Sequence, residues 1–239
     1  MVALDFERLQ PALQLAQRLA GLAGIFKIGK QLFTAEGPES VRQVAALGSG
    51  IFLDLKFHDI PNTVAGAIRS AVALPGLSLV NVHTLGGAEM MRAAAAAMPS
   101  GANRPKLLGV TILTSMDAKA MAQVGISGPP AARVIRLAKL AQKSGLNGVV
   151  ASGHEVKAIR KACGKDFLIV TGGIRPLQVG VRKRDDQARV ATPGATIQAG
   201  ANYIVVGRPI TAADDPVAAA RAILDEIVET TARAKSAHA

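Results

Sequence analysis

The sequence predicts an α/β protein that folds as a single (β/α)8 TIM barrel, and three observations favour this fold. Short apolar runs of strand length alternate along the chain with segments of helical periodicity. Eight such runs are present, which is the number of strands that closes a barrel of this kind. The chain has 239 residues, close to the length of roughly 250 residues that is typical of the fold.

The candidate strands are runs of four to six residues rich in β-branched and apolar side chains. They span residues 2–6, 24–28, 50–55, 79–83, 107–111, 148–151, 167–171 and 203–206. Between them, apolar residues recur three and four positions apart, as in Ala12, Leu15, Ala16 and Leu19. This spacing predicts helices that pack one face against the strands.

A doubly wound open sheet is the alternative fold. That fold would place a G-x-G-x-x-G turn after the first strand, whereas residues 4–8 read L-D-F-E-R. The chain also lacks a Pro-, Gly- or Ser-rich linker between two halves. We therefore expect one domain over residues 1–239, with a small, polar tail that frays from about residue 230.

Composition narrows the class of protein. The single cysteine, Cys163, has no internal disulfide partner, and no signal segment or long apolar stretch is evident, which predicts a soluble cytoplasmic protein. The net charge of +11 suits an anionic partner. Charge alone does not choose between nucleic acid, an anionic membrane and a small anionic substrate. With one Tyr and no Trp there is little surface on which bases could stack, so we do not expect nucleic acid, and without a long apolar stretch we do not expect a membrane.

The most informative segment, residues 51–63, reads I-F-L-D-L-K-F-H-D-I-P-N-T. Side chains alternate along a strand, so Asp54 and Lys56 share the face that points into the barrel. Asp59 follows in the adjoining loop, at the strand end where barrel enzymes carry their active sites. An ion pair that satisfies only itself is the alternative, but buried pairs stabilise folds poorly. We expect a catalytic cluster, with Lys27 at the end of the second strand as its neighbour.

A phosphate site is expected at the end of the chain. Loops after the last two strands of a barrel commonly bind phosphate, Gly207 permits close approach, and Arg208 can bind in a bidentate way. Residues 178–187 carry three consecutive basic residues and are either a mobile loop that closes over an anion or a solvated surface loop. His83, at the end of the fourth strand, is expected to be structural rather than a catalytic base.

The run D-L-K-F-H-D-I-P-N-T-V at residues 54–64 resembles the signature of the orotidine 5'-monophosphate decarboxylases of type 1. The D-x-K-x-x-D core of that family corresponds to Asp54, Lys56 and Asp59. The resemblance extends over nearly the whole chain, from V-A-L-D at residues 2–5 to V-G-R-P-I at residues 206–210.

The resemblance implies a decarboxylase of orotidine monophosphate that needs no cofactor and no metal. Lys56 would be the proton donor, within a charged array completed by three other catalytic residues: Lys27, Asp54 and Asp59. Substrate would be bound by Asp5 and Lys27 at the ribose, Thr114 at the pyrimidine, Gln187, Gly207 and Arg208 at the phosphate with Arg175 nearby, and Ile60 and Thr63. The family also implies a homodimer in which Asp59 and Thr63 reach into the partner's site.

Two other functions stay open. A magnesium-dependent sugar-phosphate decarboxylase or an aldolase-like relative would share the D-x-K-x-x-D array. A barrel without catalytic activity could bind phosphate metabolites or proteins. Pro61, Asn62 and Thr63 after the array, with Gly207, Arg208 and Pro209 near the end, favour the nucleotide enzyme over the first. The cost of a buried charged cluster argues against the second.

Overall fold

The computed structural model describes residues 1–176 and 191–236, with side chains described as far as residue 233. Its strands are β1 Val2–Ala3, β2 Ile25–Gly29, β3 Gly50–Phe57, β4 Leu77–His83, β5 Lys106–Val110, β6 Gly148–Ser152, β7 Leu168–Gly172 and β8 Tyr203–Ile204. Each strand overlaps one of the eight runs predicted from the sequence. The predicted bounds of β1 and β8 were too long, because regular pairing stops where the backbone turns into the loops that follow.

Each strand is followed by one or two of the described helices. They are α1 Leu9–Arg18, α2 Lys30–Glu36, α3 Pro38–Ala45, α4 Pro61–Val72, α5 Gly87–Ala96, α6 Ala118–Gln123, α7 Pro130–Lys143, α8 Val156–Cys163, α9 Pro193–Gln198, α10 Arg208–Thr211 and α11 Pro216–Ser236. Five of them begin at a proline, which lacks the N–H that a first helical turn leaves unpaired. None of the described helices combines the length and the apolar character that a membrane span requires.

The strands form one parallel sheet in the order β1 to β8. The sheet closes on itself because Val2 pairs with Val206 beyond the end of β8. The Ala3 N–H donates to the Val206 carbonyl at 2.8 Å, and the Val206 N–H donates to the Met1 carbonyl at 3.0 Å. The predicted (β/α)8 barrel is thereby confirmed, and the open doubly wound sheet is excluded.

Two apolar layers hold the barrel together. Most of the core lies between strands and helices, where Leu53 is 1% exposed. A smaller cluster fills the barrel interior and consists of Phe52, Leu79, Leu108 and Val170. Burying each of these large side chains contributes about 1.5–3 kcal/mol. Since Phe52 points inward and Leu53 outward, the alternation along β3 directs Asp54 to the interior above this floor.

The helix α11 includes the residues from about 230 for which the sequence predicts fraying. This helix continues to Ser236. The start of α9 contacts α11: the Gly194 N–H donates a hydrogen bond to Glu226 Oε1 at 3.0 Å. The fraying of the chain end stays a prediction, as does the single domain over residues 1–239, which the one continuous sheet supports.

Candidate active site

A cavity of about 550 Å³ opens at the carboxyl ends of the strands. This volume lies within the range of small-molecule sites, which is about 300–1,000 Å³. Eight of the residues singled out in the sequence line it: Asp5, Lys27, Asp54, Lys56, Thr114, Arg175, Gly207 and Arg208. They come from loops and strand ends distributed around the barrel, so only the closed sheet brings them together.

Four charged side chains in this cavity alternate in sign. Lys27 Nζ lies 2.9 Å from Asp5 Oδ1 and 3.6 Å from Asp54 Oδ2. Lys56 Nζ lies 2.7 Å from the other Asp54 oxygen, Oδ1. Asp54 therefore stands between two ammonium groups, and we call the set Asp5, Lys27, Asp54 and Lys56 the charged array. The array concentrates a strong field at one wall of the cavity.

The Asp54 carboxylate is largely buried, with 12% of its side chain exposed. Burial opposes its ionisation, but the charges of Lys56 and Lys27, with hydrogen bonds from Lys56 and Asn81, outweigh burial and hold the pKa of Asp54 below its usual value. The carboxylate is therefore ionised at neutral pH. A permanent negative charge at this position would repel a second carboxylate and attract a cation.

Gly29 gives the array room. A Cβ atom at this position would lie 2.9 Å from Lys27 Nζ and 3.1 Å from Asp5 Oδ1. Gly29 ends β2 and has the extended backbone that any residue adopts, with φ −94° and ψ −177°. A side chain here would therefore have to displace the Lys27–Asp5 pair, whereas the backbone conformation itself does not call for glycine.

Lys56 has an unusual backbone conformation. Its φ of 52° lies in the left-handed region, and among the described residues it is the only non-glycine with positive φ. Such a conformation costs about 1–3 kcal/mol and is concentrated at functional sites. The strict alternation assumed from the sequence does not hold at this residue, because the pairing of β3 with β4 is irregular between Leu53 and Phe57. Lys56 nevertheless lines the same cavity as Asp54.

Three of the predicted site residues lie outside the chain's own cavity. Asp59, Ile60 and Thr63 are exposed in the loop after β3 and in the first turn of α4. Ile60 is 67% exposed, although it is large and apolar. Asp59 Oδ1 accepts a hydrogen bond from the Ile60 N–H at 2.6 Å. The resemblance places these residues in a partner's site, and that placement stays a prediction.

The expected phosphate-binding residues divide into two groups. Arg175, Gly207 and Arg208 line the cavity after β7 and β8. The Arg175 N–H donates to the Ala191 carbonyl at 3.0 Å, which ties the backbone after β7 to the residues before α9. Gln187 and the basic run at residues 182–184 lie outside the described residues, so their predicted roles stay predictions.

The sequence reasoning missed two polar residues. Gln31 lines the cavity from the first turn of α2. Asn81 is fully buried in β4 and contacts both Asp54 and Lys56. The signal for Asn81 was available, because an amide in the apolar run L-S-L-V-N-V-H must find buried partners. No comparable pattern distinguishes Gln31.

No group of three or more His, Cys, Asp or Glu side chains is arranged to hold a metal ion within residues 1–176 and 191–236. The carboxylates of the charged array instead contact ammonium groups. The expectation that no metal takes part stays a prediction.

His83 is the last residue of β4, at the same end of the barrel as the charged array. Its Nδ1 accepts a hydrogen bond from the Leu85 N–H at 3.3 Å, and its ring stacks on His58 at 5.3 Å. Burial, the His58 ring and the ammonium groups of Lys56 and Lys30 lower the pKa of His83 to about 4. A neutral, hydrogen-bonded ring of this kind fits a structural role.

The low pKa of His83 predicts an acid-sensitive fold. In the unfolded chain the ring titrates near 6.5, whereas in the folded protein it titrates near 4. The unfolded state therefore binds the proton more tightly, and stability present above pH 6.5 should be lost as the pH falls from 6.5 to 4. Urea unfolding across this range should show a smaller loss for His83→Asn than for the parent. Equal losses would contradict the prediction, and the exposed His154→Asn is the matched control.

Comparison with known proteins places this site in a family. Residues 1–223 match the model of the orotidine 5'-phosphate decarboxylase / HUMPS family. An orotidine 5'-phosphate decarboxylase of Moorella thermoacetica is 52% identical over 233 residues, covering 95% of this chain and 91% of that protein. One from Nitrosococcus oceani is 49% identical, with 95% and 96% covered.

Solved structures agree with the sequence comparison. The orotidine 5'-phosphate decarboxylase of Lactobacillus acidophilus superposes with a TM-score of 0.79 at 39% identity, covering 95% of this chain and 97% of that one. The enzyme of Pyrococcus horikoshii superposes with a TM-score of 0.74 at 25% identity. The chain therefore belongs to the orotidine 5'-phosphate decarboxylase / HUMPS family.

Proposed function

We propose that this protein is an orotidine 5'-phosphate decarboxylase, which converts orotidine 5'-monophosphate to UMP and CO2. The observation that carries the proposal is the charged array, in which Asp54 stands between Lys27 and Lys56 at the wall of a nucleotide-sized cavity. Family membership and relatives at about 50% identity that bear this name support the same reaction.

Decarboxylation at ring carbon six requires the protein to stabilise a carbanion. When the bond from ring carbon six to the carboxylate breaks, its electron pair stays on that carbon and CO2 leaves. The Lys56 ammonium stabilises this developing charge and then transfers a proton from Nζ to carbon six. Lys56 regains a proton from solvent afterwards. The left-handed backbone of Lys56 and its contact with Asp54 fix the direction of the ammonium group.

Asp54 faces the departing carboxylate in this scheme. Two like charges in a cavity that excludes water repel each other, and the repulsion disappears when CO2 leaves. Lys27 has a double contact, with Asp5 on the ribose side and with Asp54 on the reacting side. It therefore links the sugar to the reacting centre. Thr114 lines the cavity after β5, where the pyrimidine would lie.

A direct assay tests this proposal. The purified protein should deplete the absorbance of orotidine monophosphate, at the same rate with and without a chelator. A protein that binds the nucleotide without turning it over would be a non-catalytic phosphate-binding barrel. Loss of activity with chelator, restored by Mg²⁺, would instead favour the magnesium-dependent relative. Either result would refute the reaction or the metal-free chemistry proposed here.

We place the substrate phosphate at Gly207, Arg208 and Arg175, which line the cavity after β7 and β8, whereas Asp54 and Lys56 line it from β3. Gln187 is the fourth residue of this proposed subsite. Binding energy from a group remote from the reacting carbon can lower the chemical barrier if it closes the site and excludes water.

The phosphate assignment predicts an interaction between a variant and a substrate. Arg208→Ala should lower kcat/KM for orotidine monophosphate by about 100-fold, the value of a charge-assisted bidentate contact. With orotidine, which has no phosphate, the same variant should behave like the parent. Steady-state kinetics on both substrates measure the difference, and Arg92→Ala on the outer helix α5 is the control. An equal loss on both substrates would remove Arg208 from the phosphate site.

We propose that the active unit is a homodimer. The exposed Asp59, Ile60 and Thr63 are not among the residues that line their own cavity, and an exposed apolar Ile60 fits a contact surface. In a symmetric pair each chain's loop after β3 would enter the other's cavity. The partner subunit would thereby complete the catalytic set with Asp59.

The shared site predicts complementation between two inactive variants. Lys56→Ala and Asp59→Ala chains each spoil a different half of the composite site. A mixed dimer contains one site that carries both lesions and one site that carries neither. Unfolding and refolding an equal mixture should therefore restore about a quarter of the parent's turnover, since half of the dimers are mixed and each has one intact site. A mixture as inactive as its components would contradict the shared site.

A further inference from the structure

Asn81 occupies a special place in the barrel, opposite an irregularity in β3. Leu53 pairs with Val80 and Phe57 pairs with Val82. Three residues of β3, positions 54–56, therefore lie opposite the single residue Asn81. A bulge of this kind leaves backbone groups without their ladder partners, and a buried N–H must find another acceptor.

The Asn81 side chain supplies that acceptor and a second contact. Its Oδ1 accepts from the Lys56 backbone N–H at 2.8 Å. Its Nδ2 donates to Asp54 Oδ1 at 2.6 Å, the same oxygen that Lys56 Nζ contacts at 2.7 Å. Only one orientation of the amide satisfies both contacts, because an N–H needs an oxygen and a carboxylate needs a donor. Asn81 itself is 0% exposed.

These contacts join the backbone of one catalytic residue to the side chain of the other. The backbone contact holds Lys56 in its left-handed conformation, which directs the side chain back toward Asp54. The side-chain contact fixes Asp54 Oδ1, the oxygen that the Lys56 ammonium also contacts. An apolar residue of the same size would make neither contact, because it has no acceptor for the Lys56 N–H and no donor for the Asp54 carboxylate.

We propose that Asn81 is a positioning residue for the decarboxylation: it replaces the missing ladder acceptor of Lys56 and orients Asp54, and so sets the direction of the proton-donating ammonium. This role rests on the proposed function of the charged array. Asn81 acts through Lys56 and Asp54 and does not itself line the cavity among the described residues.

Asn147 offers a matched control, because it lies at the amino-terminal end of β6, whereas the charged array lies at the carboxyl ends of the strands. Asn147 Oδ1 accepts from the Leu107 backbone N–H at 2.9 Å, just before β6 begins and far from the charged array. It makes the same type of contact, from an amide to the backbone of a neighbouring strand. Loss of either amide should lower stability, but only Asn81 should affect the chemical step.

The experiment compares Asn81→Ala, Asn81→Asp and Asn147→Ala. Asn81→Ala should lower kcat for orotidine monophosphate by about 100-fold, the cost of a small misplacement of a reacting group. Its KM should stay within about threefold of the parent, because the contacts that bind ground state and transition state alike are retained. Asn147→Ala should keep the parent's kcat at a similar loss of melting temperature. A kcat for Asn81→Ala within threefold of the parent, or an equal loss in Asn147→Ala, would overturn the proposal.

A second measurement is a pH titration of Asp54 without substrate, which is then compared with the kcat–pH profile. Carbon-13 NMR titration follows the Asp54 carboxyl, assigned by its absence in Asp54→Asn. In Asn81→Asp a second carboxylate replaces the donor, so the pKa of Asp54 should rise relative to the parent and the kcat–pH profile should shift with it. An unchanged Asp54 titration would overturn the proposal. A parent that titrates as expected but does not turn over orotidine monophosphate would refute the proposed function while leaving the contact of Asn81 with Asp54 supported.

Discussion

Replacing Lys56 by alanine should abolish turnover while the barrel stays folded. The substitution removes both the cation that stabilises the carbanion and the acid that protonates it. General acid catalysis contributes about 100- to 10,000-fold and one electrostatic contact about 100- to 1,000-fold, so the expected loss in kcat is at least about 10,000-fold. Initial rates and extended time courses with orotidine monophosphate measure this loss of kcat.

The fold should tolerate this change. The Lys56 side chain is 27% exposed at the rim of a cavity and is not part of either apolar layer. Asp54 keeps Lys27 as a cationic partner at 3.6 Å. UMP binding should therefore persist. Lys30→Ala is the matched control, since it removes the same charge from the exposed start of α2. Turnover within tenfold of the parent in Lys56→Ala would exclude Lys56 as the proton donor.

The fold was predictable because its determinants are local and repeated. Each strand is an apolar run in a single stretch of chain, and the alternation with helices restricts the topology to parallel sheets. The bounds of β1 and β8 were less predictable, because both strands end where the sheet closes through pairs such as Val2 with Val206. Those pairs join residues separated by nearly the whole chain.

The charged array was predictable for a different reason. Asp54 and Lys56 stand in an otherwise apolar strand, and the energetic cost of burying them points to function. The role of Asn81 was not predictable in this way. It depends on a bulge that shifts the register between Leu53 and Phe57, and no local pattern in β3 indicates where a ladder contact will be missing.

The site residues at the rim of the barrel were predictable in part, less well than the charged array and better than Asn81. Thr114, Arg175, Gly207 and Arg208 follow strands that were identified correctly, so the geometry of the barrel brings them into one cavity. Asp59 also follows such a strand, yet it is exposed outside that cavity. Its proposed role requires a second chain, and a single sequence carries no pattern that specifies where two copies meet.

Replacing Asp54 by asparagine should separate binding from chemistry. The substitution preserves shape but removes the negative charge between Lys27 and Lys56, which leaves two ammonium groups facing an uncharged amide. The substrate carboxylate can then take the place of the lost charge, so the ground state should bind more tightly. Catalysis should fall by at least about 1,000-fold in kcat, because both the repulsion that CO2 departure relieves and the orientation of Lys56 are lost.

A lower KM together with a lower kcat is the signature of ground-state repulsion that has been removed. UMP has no carboxylate, so its affinity should change much less than that of orotidine monophosphate, and calorimetry can compare the two. Asp215→Asn is the control, because that carboxylate accepts from the Val217 N–H at the start of α11, away from the cavity. If Asp54→Asn weakened orotidine monophosphate and UMP equally, Asp54 would be a binding residue and the repulsion between carboxylates would have no part in the reaction.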